Sequence, residues 1–241
     1  MLVFKPARDK EVILTTKYFT HKYLPALALA EQGSGAGLSS QPIEEKVMLV
    51  FHGLGDSLNG FTWMPPQLAI DSLSYLLVNA PDDYYGGYSW FNFSGGGAFM
   101  ENALPGIRRS RELIHKLIDE VISQGVKAEN ILLFGFSQGC LMALDAGLRY
   151  PKRLAGICGV SGWVASMEEY PGAFSKVARE QKFFVTHGFQ DPVLPYANTK
   201  AQCEALQGMD VNLTFKSYPK DHTILPQELD DIKRWIKAQI E

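Results

Sequence analysis

Two kinds of apolar segment alternate along this chain. The first kind is short and nearly unbroken: Val47-Met48-Leu49-Val50-Phe51, Tyr75-Leu76-Leu77-Val78, Ile131-Leu132-Leu133-Phe134, Leu154-Ala155-Gly156-Ile157-Cys158 and Phe183-Phe184-Val185-Thr186. Continuous rather than alternating apolarity predicts strands buried on both faces, as in a parallel sheet. A last strand is predicted over residues 211–218. The second kind has helical spacing. In residues 106–124, Ile107, Leu113, Ile114, Leu117, Ile118 and Val121 fall on one face with charges between them, and Pro105 just ahead reads as a start signal. Further helices are predicted over residues 138–149, 196–207 and 226–240. Strand and helix in turn imply an α/β fold, with a mostly parallel central sheet, helices on both faces and one domain over residues 1–241.

Three stretches depart from that rhythm. Residues 12–19 and 22–30 are β-prone and flank Thr20-His21, the spacing of an N-terminal β-hairpin. Residues 31–42 are small and polar, as in a surface loop. Residues 80–105 follow neither period. A connection that long is usually functional or disordered, and its aromatics (Tyr84, Tyr85, Tyr88, Trp90, Phe91, Phe93) argue against disorder.

Bulk composition narrows the function. At 241 residues the chain is long enough to bury a core without metal or disulfide support. Its net charge of −3 and the absence of a basic block give nucleic acid no purchase. Cys140, Cys158 and Cys203 are widely spaced and form no CxxC pair, so they read as buried free thiols and not as metal ligands. No leader-like or membrane-spanning apolar run is visible, which points to a cytoplasmic protein.

The chemistry is carried by Gly135-Phe136-Ser137-Gln138-Gly139. This is a G-x-S-x-G pentapeptide between a buried strand and a helix, the setting of a nucleophile elbow in an α/β-hydrolase fold. A serine hydroxyl needs a histidine to take its proton and an acid to orient that histidine, and in this fold the chain order is Ser, acid, His. Only His187 and His222 follow Ser137. Asp191 lies just past the predicted strand 183–186, at the carboxyl edge of the sheet, which leaves His222 as the base and His187 as structural. Asp145 and Asp210 sit in a helix and near a turn and are weaker acids for this role. Oxyanion donors are expected from the backbone N–H of Gln138 and of Leu54, the latter flanked by glycines in His52-Gly53-Leu54-Gly55-Asp56. His52 reads as the residue that holds this loop.

These same segments, together with His187-Gly188 ahead of Asp191-Pro192-Val193, Asp221-His222-Thr223-Ile224 and Ser161-Gly162-Trp163, resemble the phospholipase/carboxylesterase family. That family includes the acyl-protein thioesterases and small bacterial carboxylesterases. The resemblance spans about residues 45–240. It implies a hydrolase with a Ser137–Asp191–His222 triad, Leu54 and Gln138 as donors, and no metal or organic cofactor. Two features depart from the family pattern: Asp221 stands where glycine usually precedes the histidine, and the N-terminal extension is additional.

The expected substrate is a small-molecule ester or acyl compound, with Trp63, Tyr88, Trp90, Phe91 and Trp163 lining its pocket. A carboxylesterase is the first reading. A lysophospholipase or acyl-protein thioesterase is the alternative within the same chemistry, and a non-catalytic hydrolase-fold receptor is the alternative outside it. Monomer and homodimer both remain open.

Overall fold

A computed structural model describes residues 14–27, 44–92, 99–165 and 173–241, with the side chains of residues 99–101 excepted. The polar loop at 31–42, Phe93 and the outer ends of the two N-terminal β-prone runs lie outside the described residues.

The central sheet has seven strands: β1 (His21–Leu24), β2 (Lys46–Phe51), β3 (Leu73–Val78), β6 (Ile131–Phe136), β7 (Gly156–Val160), β8 (Phe183–Gly188) and β9 (Leu213–Tyr218). They lie in the order β1-β3-β2-β6-β7-β8-β9. All pairings are parallel except β1 with β3. The helices are α1 (Met64–Leu68), α2 (Phe99–Ser123), α3 (Gln138–Arg149), α4 (Tyr196–Gly208) and α5 (Pro226–Ile240).

The unbroken apolar runs follow from this layering. Successive side chains of a strand point to opposite faces. In β2, Val47, Leu49 and Phe51 enter the core beneath α2, α3 and α4, where they meet residues such as Ile114, Leu144 and Leu206. Met48 and Val50 enter a second core under α1 and α5, with Leu68, Ile232 and Ile236. Both faces are covered, so from Val47 to Phe51 no position is free to be polar.

Two expectations are corrected. The described part of the N-terminal segment forms no hairpin with itself. Residues 14–20 are not strand, and β1 instead pairs antiparallel with β3, His21 opposite Val78 and Leu24 opposite Tyr75. Joining the edge of an existing sheet satisfies β1's backbone along its length, which an isolated two-stranded hairpin does only marginally. The long helix, in turn, begins at Phe99 and not after Pro105, which lies inside it. Proline removes one backbone hydrogen bond. Ala103 and Ile107, both buried on the same face, keep the segment packed across that gap.

The long connection 80–105 is partly ordered by a small separate hairpin, β4 (Asp82–Tyr84) with β5 (Gly87–Ser89), turning through Tyr85 and Gly86 at positive φ. It is tied to the loop after β2, where Gly55 N–H donates to Tyr88 O and Tyr88 N–H to Asp56 O, both at 2.9 Å.

Candidate active site

The carboxyl ends of β2, β6, β8 and β9 deliver four loops to one edge of the sheet. The loop after β6 is the tightest. Gly135 and Gly139 are required by contact: a Cβ on Gly135 would lie 2.0 Å from Gly139 O, and one on Gly139 would lie 2.1 Å from Phe51 O. Between them Ser137 has φ 55° and ψ −117°, a conformation unfavourable for any residue with a Cβ. It is held there by its N–H, which donates to Val160 O at 2.9 Å, and by its carbonyl, which accepts from Leu141 N–H at 3.2 Å. The strain lifts the hydroxyl off the sheet, and α3 begins directly behind it.

Ser137, Asp191 and His222, which come from three separate loops, are brought into one hydrogen-bonded line. Ser137 Oγ lies 3.0 Å from His222 Nε2, and His222 Nδ1 lies 2.7 Å from Asp191 Oδ2. An ionised carboxylate only accepts, so Nδ1 carries the proton and Nε2 accepts from the serine hydroxyl. Asp191 Oδ1 accepts from the N–H groups of Val193 and Leu194, each at 2.9 Å. Burial works to raise the Asp191 pKa, but the Leu194 N–H, the His222 ring and the Val193 N–H together outweigh it and hold the acid below its ordinary value. The geometry therefore fixes both the charge of Asp191 and the tautomer of His222.

The segments expected to carry the oxyanion donors adjoin Ser137. The Gln138 N–H is the first of α3 and has no partner within a helix. The Gly53-Leu54 loop crosses close by, for a Cβ on Gly53 would lie 3.3 Å from the Cβ of Ser137. His52 anchors that loop as expected: Nδ1 lies 2.7 Å from Gly53 O, and Nε2 accepts from Ala80 N–H at 3.0 Å. Burial lowers its pKa, which keeps the ring neutral and able to accept. His187, also expected to be structural, lies with Nε2 3.0 Å from Leu194 O and 3.5 Å from Asp191 Oδ2. It braces the acid's loop from below.

The five residues assigned to a substrate pocket divide. Trp63 is 36% exposed and lines a groove of about 480 Å³ with Phe61, Phe136, Ile224 and His222. Trp63 and Ile224 also wall a second hollow of about 350 Å³ that runs on to Leu225 and Leu229. Trp90 and Phe91, by contrast, are wholly buried, which corrects their assignment as pocket walls. Trp90 packs edge-on against Phe51, its ring N–H donating to His52 O at 2.9 Å. Phe91 meets Trp163 in a T-shaped contact. Tyr88 and Trp163 are half-buried and belong to neither groove wall, Tyr88 packing near His52. Large rings bury well in any core, and the sequence carried no signal to separate the two fates.

Sequence reasoning missed several residues. Phe136, the variable position before the serine, packs its ring 5.0 Å from that of His222. The Gln138 side chain clamps the aromatic segment, with Oε1 accepting from Trp90 N–H at 3.0 Å and Nε2 donating to Phe91 O at 2.9 Å. Lys220 is buried behind the base. Asp221, which replaces the family glycine, is exposed and is not among the residues with positive φ, so the turn places no demand there for glycine.

Comparison with known proteins places the whole fold. Residues 38–240 match the phospholipase/carboxylesterase family. An acyl-protein thioesterase 1 of Schizosaccharomyces pombe is 34% identical over 66% of this chain and 74% of its own length. A probable carboxylesterase of Oryza sativa is 29% identical over 80% and 77%. Among solved structures, SOBER1 of Arabidopsis thaliana superposes with a TM-score of 0.73 at 29% identity, covering 81% of this chain and 99% of that one. The esterase PE8 shares the fold, with a TM-score of 0.77 at 22% identity over 91% and 98% of the two chains. With a match over most of its length, the chain belongs to the phospholipase/carboxylesterase family.

Proposed function

We propose that the protein is a serine hydrolase of carboxylic esters, and that Ser137, His222 and Asp191 carry the reaction. The observation that carries this reading is the continuous line from Ser137 Oγ through the His222 ring to Asp191, at 3.0 and 2.7 Å, with the serine on a strained elbow. Ser137 Oγ attacks the ester carbonyl while His222 Nε2 takes its proton. The oxygen that becomes negative is received by the N–H groups of Leu54 and Gln138. His222 then gives the proton to the departing alcohol, leaving an acyl-serine. Water, deprotonated by the same nitrogen, attacks the acyl-serine, and His222 returns that proton to the departing Ser137 Oγ, which frees the acid and restores the enzyme. No step calls for a metal or organic cofactor.

The groove, with apolar rings and aliphatic side chains on its walls beside polar groups such as Gln67 and Thr223, favours a substrate that carries no negative charge. Its walls are Phe61, Trp63, Phe136, Ile224 and Leu229, with Asp56 and Asp230 as the charges present and no lysine or arginine among the lining residues to receive a phosphate. This favours a carboxylesterase over a lysophospholipase. The thioesterase names among the relatives keep a thioester substrate as the second reading. No helix among the described residues is long and apolar enough to cross a membrane. The three buried free thiols suit a reducing compartment, and we place the protein in the cytoplasm.

The test is hydrolysis of p-nitrophenyl esters from acetate to palmitate by the wild type and Ser137→Ala. Loss of about 10⁶-fold in kcat is expected in the variant. A loss below tenfold would mean that another nucleophile acts. A wild type that binds esters without turning them over, and that resists fluorophosphonate, would be a receptor.

A further inference from the structure

Lysine is among the residues least often fully buried, since its ammonium gives up water at a high cost. The side chain of Lys220 is nevertheless fully buried, two residues before His222. Its Nζ lies 2.7 Å from Glu228 Oε1, which is itself fully buried, and donates to Ser161 Oγ at 2.9 Å and to Thr223 O at 2.6 Å. Burial lowers the Lys220 pKa, and the Glu228 carboxylate pulls against it.

The three acceptors come from three places around the site. Ser161 closes β7 with φ 50°, its N–H donating to Thr186 O in β8. Thr223 follows the histidine directly. Glu228 uses its other oxygen to accept from Leu225 N–H at the start of α5. The backbone of Lys220 adds a fourth tie, because its carbonyl accepts from Gln190 N–H at 3.2 Å, next to Asp191. One side chain thus ties the segment after β9 to the end of β7, to the residue after His222 and to α5. Stability alone is a poor reason for this arrangement, since a buried ion pair is often no better than apolar residues of the same volume.

We propose that Lys220 is a positioning residue that fixes His222 in register with Ser137 and Asp191, by tying the loop on both sides of the histidine to the ends of β7 and α5. The inference rests on the hydrolase reading above, yet it concerns the placement of His222 and is testable apart from turnover.

The variants are Lys220→Met and the pair Lys220→Met/Glu228→Gln. The single change leaves a buried carboxylate without its cation and lowers the urea midpoint. The double change removes both charges, while glutamine keeps an acceptor for Leu225 N–H, and the midpoint returns toward that of the wild type. A purely structural lysine would recover its activity along with its stability. A positioning lysine would not: kcat of the double variant stays about 10²-fold low with KM unchanged. In parallel, the low-field ¹H resonance of the proton between His222 Nδ1 and Asp191 weakens or disappears, a readout that needs no substrate. A folded double variant with wild-type kcat and an intact low-field resonance overturns the proposal. Should the double variant not fold, Ser161→Ala decides. It keeps the ion pair and removes one tie, and the same resonance should shift while kcat falls severalfold; no change in either overturns the proposal. Ser137→Ala run alongside separates the two claims, because serine-independent turnover sinks the hydrolase reading while the resonance still reports on Lys220.

Discussion

Replacing Asp191 by asparagine is the sharpest perturbation of the triad, because the surrounding donors dictate how the new amide must lie. Asp191 Oδ1 accepts two backbone N–H groups, from Val193 and Leu194, at 2.9 Å. An NH₂ group there would meet two donors, so the amide oxygen takes that place and the NH₂ takes the place of Oδ2. It then faces His222 Nδ1 at 2.7 Å, where the ring now proffers a proton. Two donors cannot share that distance. The imidazole resolves the conflict by moving its proton to Nε2, the nitrogen 3.0 Å from Ser137 Oγ. A histidine protonated on Nε2 cannot accept the serine proton. The expected cost is about 10⁴-fold in kcat, or about 5.5 kcal/mol of barrier, the size seen when a triad acid is changed this way in another serine hydrolase. The Asp191 side chain is fully buried, so KM should stay close to that of the wild type. The assay is steady-state hydrolysis of a short p-nitrophenyl ester with the urea midpoint measured in parallel. An Asp191→Asn enzyme that folds normally and keeps more than a tenth of its kcat would refute the tautomer argument.

Two further predictions test the frame around the triad. Gly139→Ala would place its Cβ 2.1 Å from Phe51 O and 2.7 Å from His52 O, backbone atoms that cannot swing aside; a loss of about 1–3 kcal/mol or more and a collapse of kcat are expected. Gly208→Ala, with nothing within 4 Å of its Cβ, should leave the urea midpoint unchanged or raise it, and equal behaviour of the two variants would be the contrary result. Acid sensitivity should begin near neutrality. Burial lowers the pKa of His52, His115 and His187, so below about pH 6.5 the unfolded chain binds protons that the folded one refuses, and stability falls with pH. Asp191, whose pKa is also depressed, contributes its loss only below about pH 3.9. A urea midpoint flat from about pH 7.5 to about pH 5 would contradict this.

The parts of this molecule that were legible in sequence are those set by local rules. A strand covered on both faces must be apolar throughout, so β2, β6 and β8 announced themselves. The elbow needs glycine on either side of Ser137 because the backbone carbonyls leave no room for a Cβ, and that demand is written as a motif. The order of Asp191 and His222 followed from the order of the strands that deliver them. What could not be read depends on distant partners. Nothing in His21–Leu24 says that it lies beside β3, since edge pairing is set by geometry some fifty residues away. Pro105 is a helix start by local preference, and only the burial of Ala103 and Ile107 overrules it. Trp63 and Trp90 are the same residue type, yet one borders a groove and the other fills a core. Lys220 was invisible because its burial depends on Glu228 and Ser161 together, and a lysine in a polar loop ordinarily points to water.

The distance along the chain between nucleophile and base has a consequence for synthesis. Ser137 and His222 are separated by 85 positions, and the helix α5, whose Glu228 meets Lys220, follows His222. At a ribosomal pace of about 5–20 residues per second, the serine emerges roughly 4–17 seconds before its base exists. Throughout that interval the elbow is an ordinary alcohol. On the roles proposed above, Ser137 cannot attack esters or reactive acyl groups around the translating ribosome until His222 has docked beside it, so formation of that contact itself acts as the activation step.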